Sequence, residues 1–307
     1  MTGSETSRCP LCGGMNIYHY ADCKDSAVSG ESYSLARCPD CGLIHTLNPP
    51  TDEDKPAYSK LSLELNRADH PKEPLDMLYF YIRFLNVRHR VRIVREQSRL
   101  KTGKLLNYGA KSGYFSSAME NSGWKVTSLE EHHEKRVFSL EMFHHRMMEP
   151  DERESLPRES FDGVTLWHTL EHQDNPGRLI DQLKALLKPN GLMFIALPNT
   201  DSLDATLYGN DWAAWDVPRH LWHFNTSSMI RFGLRHGLIL QHHQRLPLDT
   251  FYIAILSEKN RGARHYILKG GLKGLHFWLR TRRDRKGSST IVYVFRKKTN
   301  GLYDNPA

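Results

Sequence analysis

The chain has 307 residues, enough for one large domain and a small accessory one. Its composition, 39% hydrophobic and 25% charged with no low-complexity tract, is that of a globular protein and excludes a disordered or fibrous chain. No apolar run approaches the roughly 18 residues that crossing a bilayer requires, and the first five residues lack the basic and apolar regions of a secretory signal, so the cytoplasm is the expected location.

Cys9-Pro-Leu-Cys12-Gly13 and Cys38-Pro-Asp-Cys41-Gly42 are two nearly identical knuckles. Each places two thiolates on a tight turn, and the glycine after the second cysteine lets the chain fold back. Four cysteines so spaced predict a closed, structural zinc site within a zinc ribbon over 1–48. Neither knuckle lies in the βαβ pattern of a redox dithiol, and disulfides are disfavoured in a reducing compartment. Cys23, between the knuckles, reads as a free and partly buried thiol. So small a ribbon buries little core, and it is expected to dock through Tyr18, Tyr20 and Tyr33. Asn48-Pro49-Pro50 ends it.

A connecting segment follows over 49–102. Tyr79, Phe80, Ile82, Phe84, Leu85, Val87, Val91, Ile93 and Val94 recur at intervals of three and four among arginines, which predicts an amphipathic helix ending near Lys101-Thr102-Gly103. The main domain then spans 103–298. Lys104–Tyr108 reads as a buried strand, Gly109-Ala-Lys-Ser-Gly113 as a glycine-bearing turn, Tyr114–Ser122 as a helix, and Trp124–Leu129 as a strand ending on Glu130. Strand, turn, helix, strand and acid, with Glu130 about 20 residues beyond the first glycine, is the order of a nucleotide-binding βαβ unit, in which the acid accepts ribose hydroxyls.

Phe161–Leu166 is a further strand, followed by Trp167-His168-Thr-Leu-Glu171-His172. A helix over about 176–187 ends at Lys188-Pro-Asn-Gly191 with an expected left-handed residue, and Leu192–Leu197 is an apolar strand of the buried parallel kind. Beyond a cap at about 208–225, Ser227–His236 reads as a helix and Leu238–His242 as a strand. A helical insertion covers about 250–282, and Ser289–Phe295 closes the sheet as an edge strand. The result is an α/β fold with a mainly parallel sheet and helices on both faces. Residues 299–307 form a tail.

Phe-Asp-x-Val, Leu-Trp-His-x-Leu-Glu-His, Leu-Lys-Pro-x-Gly and an apolar strand ending Leu-Pro-Asn resemble class I S-adenosylmethionine-dependent methyltransferases. The similarity runs from Cys9 to about Lys298 and is to bacterial members with an N-terminal zinc ribbon, associated with sugar, polysaccharide or small-metabolite modification. It implies a Rossmann-like fold, S-adenosylmethionine as cofactor and a small-molecule or glycan-precursor acceptor. It also implies that Trp212 to Phe224 covers the substrate, with Trp212 and Arg219 as candidate contacts. The family's loop, Asp-x-Gly-x-Gly-x-Gly, stands here as Asn107-Tyr-Gly109-Ala-Lys111-Ser-Gly113. Asn107, Gly109, Lys111, Gly113, Glu130 and Trp167 are the candidate cofactor residues. Lys111 replaces a glycine, and either crowds the cofactor or reaches its carboxylate as a counter-ion.

Methyl transfer from a sulfonium is an in-line displacement in which the protein aligns the acceptor and removes its proton. Histidine suits that task, and His168, His172, His220 and His223 are the candidates, with Glu171 to orient one of them. His168-x-x-Glu171-His172 also resembles the divalent-metal motif of some ubiquinone-pathway O-methyltransferases, with His168 where those have glutamate. Of the 17 histidines, the pairs His132/His133, His144/His145 and His242/His243 read as exposed and are assigned no role.

Net charge is +7, and Lys269, Lys273, Arg280, Arg282, Arg283, Arg285, Lys286, Arg296, Lys297 and Lys298 crowd one region. Such a run is a solvated face, or a contact for nucleic acid, an anionic membrane or an acidic substrate. Two further classes stay open: an RNA methyltransferase, and a non-catalytic member acting as a scaffold. The ribbon is not notably basic and the cap is rich in histidine and tryptophan, which favours a small-molecule acceptor over RNA.

Overall fold

The computed structural model describes residues 8–50, 74–282 and 287–298. The start of the connecting segment, Arg283, Arg285, Lys286 and the tail lie outside the described residues.

The six-stranded main sheet has the order β5-β4-β6-β7-β10-β9. Its strands are β4 (Lys104–Tyr108), β5 (Lys125–Leu129), β6 (Phe161–Trp167), β7 (Leu187–Pro198), β9 (Leu238–Arg245) and β10 (Thr290–Lys297). Strands β5, β4, β6 and β7 run parallel, whereas β10 is antiparallel to both β7 and β9. The Ser289–Phe295 strand expected at the edge therefore lies inside the sheet, and β9 holds the edge. Its run of Ile291 to Phe295, buried on both faces, accounts for that position.

Alternation along each strand divides the core. Leu106, Val164, Leu166, Met193, Ile195, Tyr293 and Phe295 face α4 (Pro176–Leu186) and α6 (Thr226–Arg235). Leu105, Phe194, Ala196, Val292 and Val294 share the other core cluster with residues of α1 (Pro74–Ser98) and α2 (Tyr114–Asn121). The helix α1 is present, but the expected clean amphipathicity is not. Ile82, Val87, Ile93 and Val94 are buried, while Met77, Phe80, Tyr81 and Phe84 remain exposed.

Two local readings are corrected. No residue of Lys188–Gly191 is left-handed, because β7 begins at Leu187 directly after α4 and carries the chain onward in extended form. A helix unforeseen from sequence, α3 (His133–Phe143), fills the stretch after β5 and precedes a parallel bridge from Leu129 to Met148. With it, His145 becomes buried rather than exposed: its ring lies 2.8 Å from Ser128 Oγ and 2.9 Å from Glu120.

The N-terminal strands β1 (Tyr18–Lys24), β2 (Ser32–Arg37) and β3 (Ile44–Thr46) form a second sheet, completed by β8 (Trp222–His223) from the cap. Ile44 pairs with His223 and His45 with Trp222. The ribbon is thus stitched into the cap by backbone hydrogen bonds. Leu11 and Leu43 join Phe224 and Phe232 in the main core. Of the three tyrosines expected to dock it, Tyr20 meets Trp215 edge-on at 5.8 Å and Tyr33 packs on the cap core, but Tyr18 is exposed. Cys23 is fully buried, and burial pushes its thiol up to about 12.

Candidate active site

In an open parallel sheet a crevice forms where successive connections leave in opposite directions. From β4 the chain goes to β5 on one side, while β6 pairs on the other. The loops after β4 and β6 therefore part at this point. They open a cavity of about 820 Å³ lined by Asn107, Gly109, Lys111, Gly113, Trp167, His168, His172, Trp212, Arg219, His220 and Asp249, among others.

The β4 loop is built for close approach. Gly109 and Gly113 have φ of +69° and +84°, and a Cβ on either would meet Thr169 or Ser139 at about 2.5 Å. Lys111, between them, also has positive φ (+53°), so it retains the backbone shape of the glycine it replaces. For an L-residue that conformation costs about 1–2 kcal/mol. The side chain opens onto the cavity, but the surrounding walls, with Arg90 and Lys135, lower its pKa to about 8.

Asn107 is buried, donates from Nδ2 to Ser116 Oγ (2.9 Å) and accepts from Thr165 Oγ1 (2.9 Å). The amide joins the Asn107–Ser116–Ser128–His145 network as a donor, which an ionised aspartate could enter only as an acceptor. Glu130 is also buried. Its carboxylate accepts from the backbone N–H of Lys111 (2.6 Å) and of His132 (3.1 Å), so it fixes the loop from behind and does not line the cavity. Trp167 stacks edge-on to Phe115 at 5.2 Å beneath the Arg90 guanidinium, and its indole N–H has no hydrogen-bond partner.

The four candidate histidines separate into different roles. His168, with φ +52°, lies 2.9 Å from Asp249 and 3.4 Å from Glu171. Burial opposes its charge, but these two carboxylates outweigh burial and raise its pKa. His223 is buried, sits 3.0 Å from Thr46 Oγ1 and does not line the cavity; it belongs to the ribbon–cap seam. His172 and His220 do line it, with ring centroids 4.7 Å apart. His172 Nδ1 is 3.0 Å from the Arg219 carbonyl and His220 Nδ1 is 3.0 Å from the Ala214 carbonyl. A carbonyl only accepts, so each Nδ1 carries a proton; His220 Nε2 in turn lies 3.6 Å from Asp216 Oδ2 and 4.0 Å from Glu171 Oε1.

Glu171 lies below them, 1% exposed, and neither carboxylate oxygen has a hydrogen bond in the usual range. Burial alone would raise its pKa, but His168, His172 and His220 bring it down to about 2. For His172, whose ring faces cavity solvent, the enclosing walls and then His220 lower the pKa to about 4. Both groups keep these charge states at neutral pH: Glu171 an anion, His172 a neutral base.

Trp212 is fully buried and donates to Asp204 (2.8 Å), so its indole is a wall of the cap rather than an open stacking surface. Arg219 pairs with Asp216, whose other oxygen is 3.6 Å from His220. Asp249, at the start of α7 (Asp249–Asn260), was not among the residues expected from sequence. Asn86 donates to it at 2.5 Å and His168 approaches it from the other side. Its only sequence signal was an acid at a helix start, which gave no hint of a partner 81 positions away.

A family profile described as a methyltransferase domain matches residues 79–243, more than half of the chain. The chain belongs to this family. The methyltransferase domain is similar to the ubiquinone biosynthesis O-methyltransferase of Xanthomonas axonopodis pv. citri, 27% identical over 168 residues, covering 51% of this chain and 66% of that protein. The enzyme of the same description from Actinobacillus pleuropneumoniae is 30% identical over 108 residues, covering 31% and 46%. The chain thus spans less than two thirds of the length of these relatives. Among solved structures, the 1,6-didemethyltoxoflavin-N1-methyltransferase of Burkholderia thailandensis, with bound 1,6-didemethyltoxoflavin and S-adenosylhomocysteine, has the same fold. It aligns with a TM-score of 0.52 and 15% identity over 87% of this chain and 96% of that one.

In the N-terminal unit the four cysteine sulfurs of Cys9, Cys12, Cys38 and Cys41 lie within 4.8 Å of one another. Cys9 Sγ is 3.6 Å from Cys41 Sγ, and Cys12 Sγ is 3.5 Å from Cys38 Sγ. Four sulfurs about 2.3 Å from a zinc ion would be about 3.8 Å apart, so the set fits a tetrahedral site. Gly13 and Gly42 take the left-handed turns the knuckles require.

Proposed function

We propose that the chain transfers a methyl group from S-adenosylmethionine to a hydroxyl of a small molecule bound in the cavity, with His172 and His220 accepting the proton. The observation that carries this reading is that the glycine-bearing loop, His172 and His220 line one cavity, each histidine held at Nδ1 by a backbone carbonyl. When bound, the cofactor supplies an electrophilic methyl on a sulfonium. Gly109 and Gly113 let Thr169 and Ser139 pack against the loop where it lines the cavity, and Glu130 holds the loop by its grip on the Lys111 amide. Glu130, expected from sequence to meet the ribose hydroxyls, does not line the cavity and serves the cofactor only through this loop. Lys111 is the counter-ion of the cofactor's carboxylate. A neutral histidine removes the acceptor proton, and the anionic Glu171 beneath stabilises the imidazolium that results. Glycan precursors and phenols both present such a hydroxyl, and the named activities of the relatives favour a ring hydroxyl.

Calorimetric titration with S-adenosylmethionine is the test. Wild type should bind, and Lys111→Met should weaken binding by about 1–2 kcal/mol through loss of a charge-assisted bond. Lys111 is charged below its lowered pKa of about 8. Affinity should therefore be full below pH 8 and fall as pH rises above it, a slope that Lys111→Met removes. Absence of binding in wild type would move the chain to the scaffold class. Unchanged affinity in Lys111→Met would leave the lysine without this role.

A second reading rests on a separate observation: Glu171, His172 and His220 present ligand atoms within 4.8 Å of one another. Both imidazoles are oriented by backbone carbonyls, as metal ligands commonly are. Two histidines and one carboxylate with open positions suit a divalent cation that would hold a hydroxyl acceptor. His168, the residue aligned with the motif's first ligand, is instead held by Asp249. Under this reading Mn²⁺ binds the zinc-loaded protein at one further site, and His220→Ala lowers that affinity about tenfold or more. If manganese binds no more tightly to wild type than to the variant, the proton-transfer reading stands alone.

The four-cysteine site is proposed to hold one structural zinc. Cytoplasmic residence accords with it, because a reducing compartment keeps such thiols from forming disulfides.

A further inference from the structure

Helix α8 (Tyr266–Arg280) grips α7 through a glycine face. A Cβ on Gly270 would lie 2.4 Å from the Ile255 Cα, and one on Gly274 would lie 2.9 Å from the Phe251 Cα. The two backbones touch where no other residue fits. Phe277 is buried as well. At 3.6 residues per turn, Leu268, Leu272, Leu275 and Leu279 fall roughly half a turn away from this face. They are 66%, 62%, 43% and 50% exposed. A helix on a globular surface normally turns polar residues to that side; α8 presents a leucine stripe.

The stripe has cationic margins. Lys269 and Arg280 fall along one edge, and beyond the other the Arg282 guanidinium sits 4.6 Å from the Trp278 ring centroid. Lys273, turned toward α7, is already paired with Glu258 at 2.5 Å. No carboxylate occurs between Tyr266 and Arg280, and the sequence continues with Arg282, Arg283, Asp284, Arg285 and Lys286. Whatever covers this face must be apolar at its centre and anionic at its margins. A second copy of the chain meets the first requirement and fails the second, since α8 against α8 would offer no acid to its cations.

We propose that α8 is an interfacial helix that binds the surface of an anionic lipid bilayer, with its leucines at the acyl boundary and its cations among the headgroups. No described helix is long and apolar enough to cross a membrane, so this attachment lies in the plane of the surface. Through Gly270 and Gly274 it is locked to α7, whose Tyr252, Ile253 and Leu256 line the cavity. Binding would therefore seat the cavity one helix away from the lipid.

The test is co-sedimentation of the full chain with phosphatidylcholine vesicles, with and without about 30% phosphatidylglycerol. Wild type should partition about tenfold or more better onto the anionic vesicles, and less at high salt. Leu268→Glu with Leu272→Glu should remove that partitioning without moving the thermal midpoint, since both side chains are exposed. Lys269→Glu with Arg280→Glu should abolish the preference for anionic lipid. The proposal is overturned if wild type ignores both vesicle types, if the leucine variant binds as wild type does, or if sedimentation shows a dimer that the leucine variant dissolves.

Discussion

Glu171→Gln is expected to slow methyl transfer about a hundredfold or more while leaving S-adenosylmethionine affinity within about twofold of wild type. The amide keeps the volume of the side chain and removes its charge. That charge is buried, held as an anion by a pKa of about 2, and surrounded by His168, His172 and His220. It matters most when a proton reaches the histidine pair, because a cation forms directly above it in an enclosed site. Release of S-adenosylhomocysteine with catechol as probe acceptor gives the rate, and calorimetry gives the cofactor affinity. His172→Ala should show a similar loss. A Glu171→Gln rate close to wild type would remove these residues from the chemistry.

Cys38→Ser, or removal of zinc by a chelator, is expected to cost both the ribbon and the cap. A structural zinc contributes its binding free energy to folding, about 10–16 kcal/mol in small zinc modules. Here the ribbon carries Leu11 and Leu43 into the main core and pairs β3 with β8. Thr46 Oγ1 donates to the His220 carbonyl at 2.7 Å and lies 3.0 Å from the His223 ring. Loosening the ribbon therefore releases the backbone that places His220. The thermal midpoint should fall by about 10 °C or more, one equivalent of zinc should be lost, and methyl transfer should fall with it. Retention of full activity by a zinc-free protein would show that the cap holds its shape without the ribbon.

Much of the fold was legible because the signals that define it are local. Apolar runs announced strands and helices, and Gly109 and Gly113 marked the loop after β4. The two knuckles pointed to four cysteines in one place, and their sulfurs converge. The α3 helix escaped notice because His133–Phe143 carries little apolar periodicity, and its buried contact is mainly Ser139. The interior position of β10 escaped notice for a different reason. Pairing with β9 and β7 depends on strands far away in sequence.

The site divides in the same way. Residue types and spacing were enough to nominate His168, His172, His220 and His223, all plausible bases in the sequence. Only the tertiary structure separated them, since a histidine's role follows from what reaches its two nitrogens. Asp249, arriving from α7, engages His168 Nε2 at 2.9 Å. Thr46, arriving from the ribbon, takes His223 into the seam. Backbone carbonyls of the cap hold the Nδ1 atoms of His172 and His220, and both residues line the cavity. By itself the sequence determined the α/β core, the cysteine set and the altered loop, because turn chemistry and hydrophobic period are written within a few residues. Which carboxylate lies beneath which imidazole was decided by packing, which brings together groups that no local pattern relates.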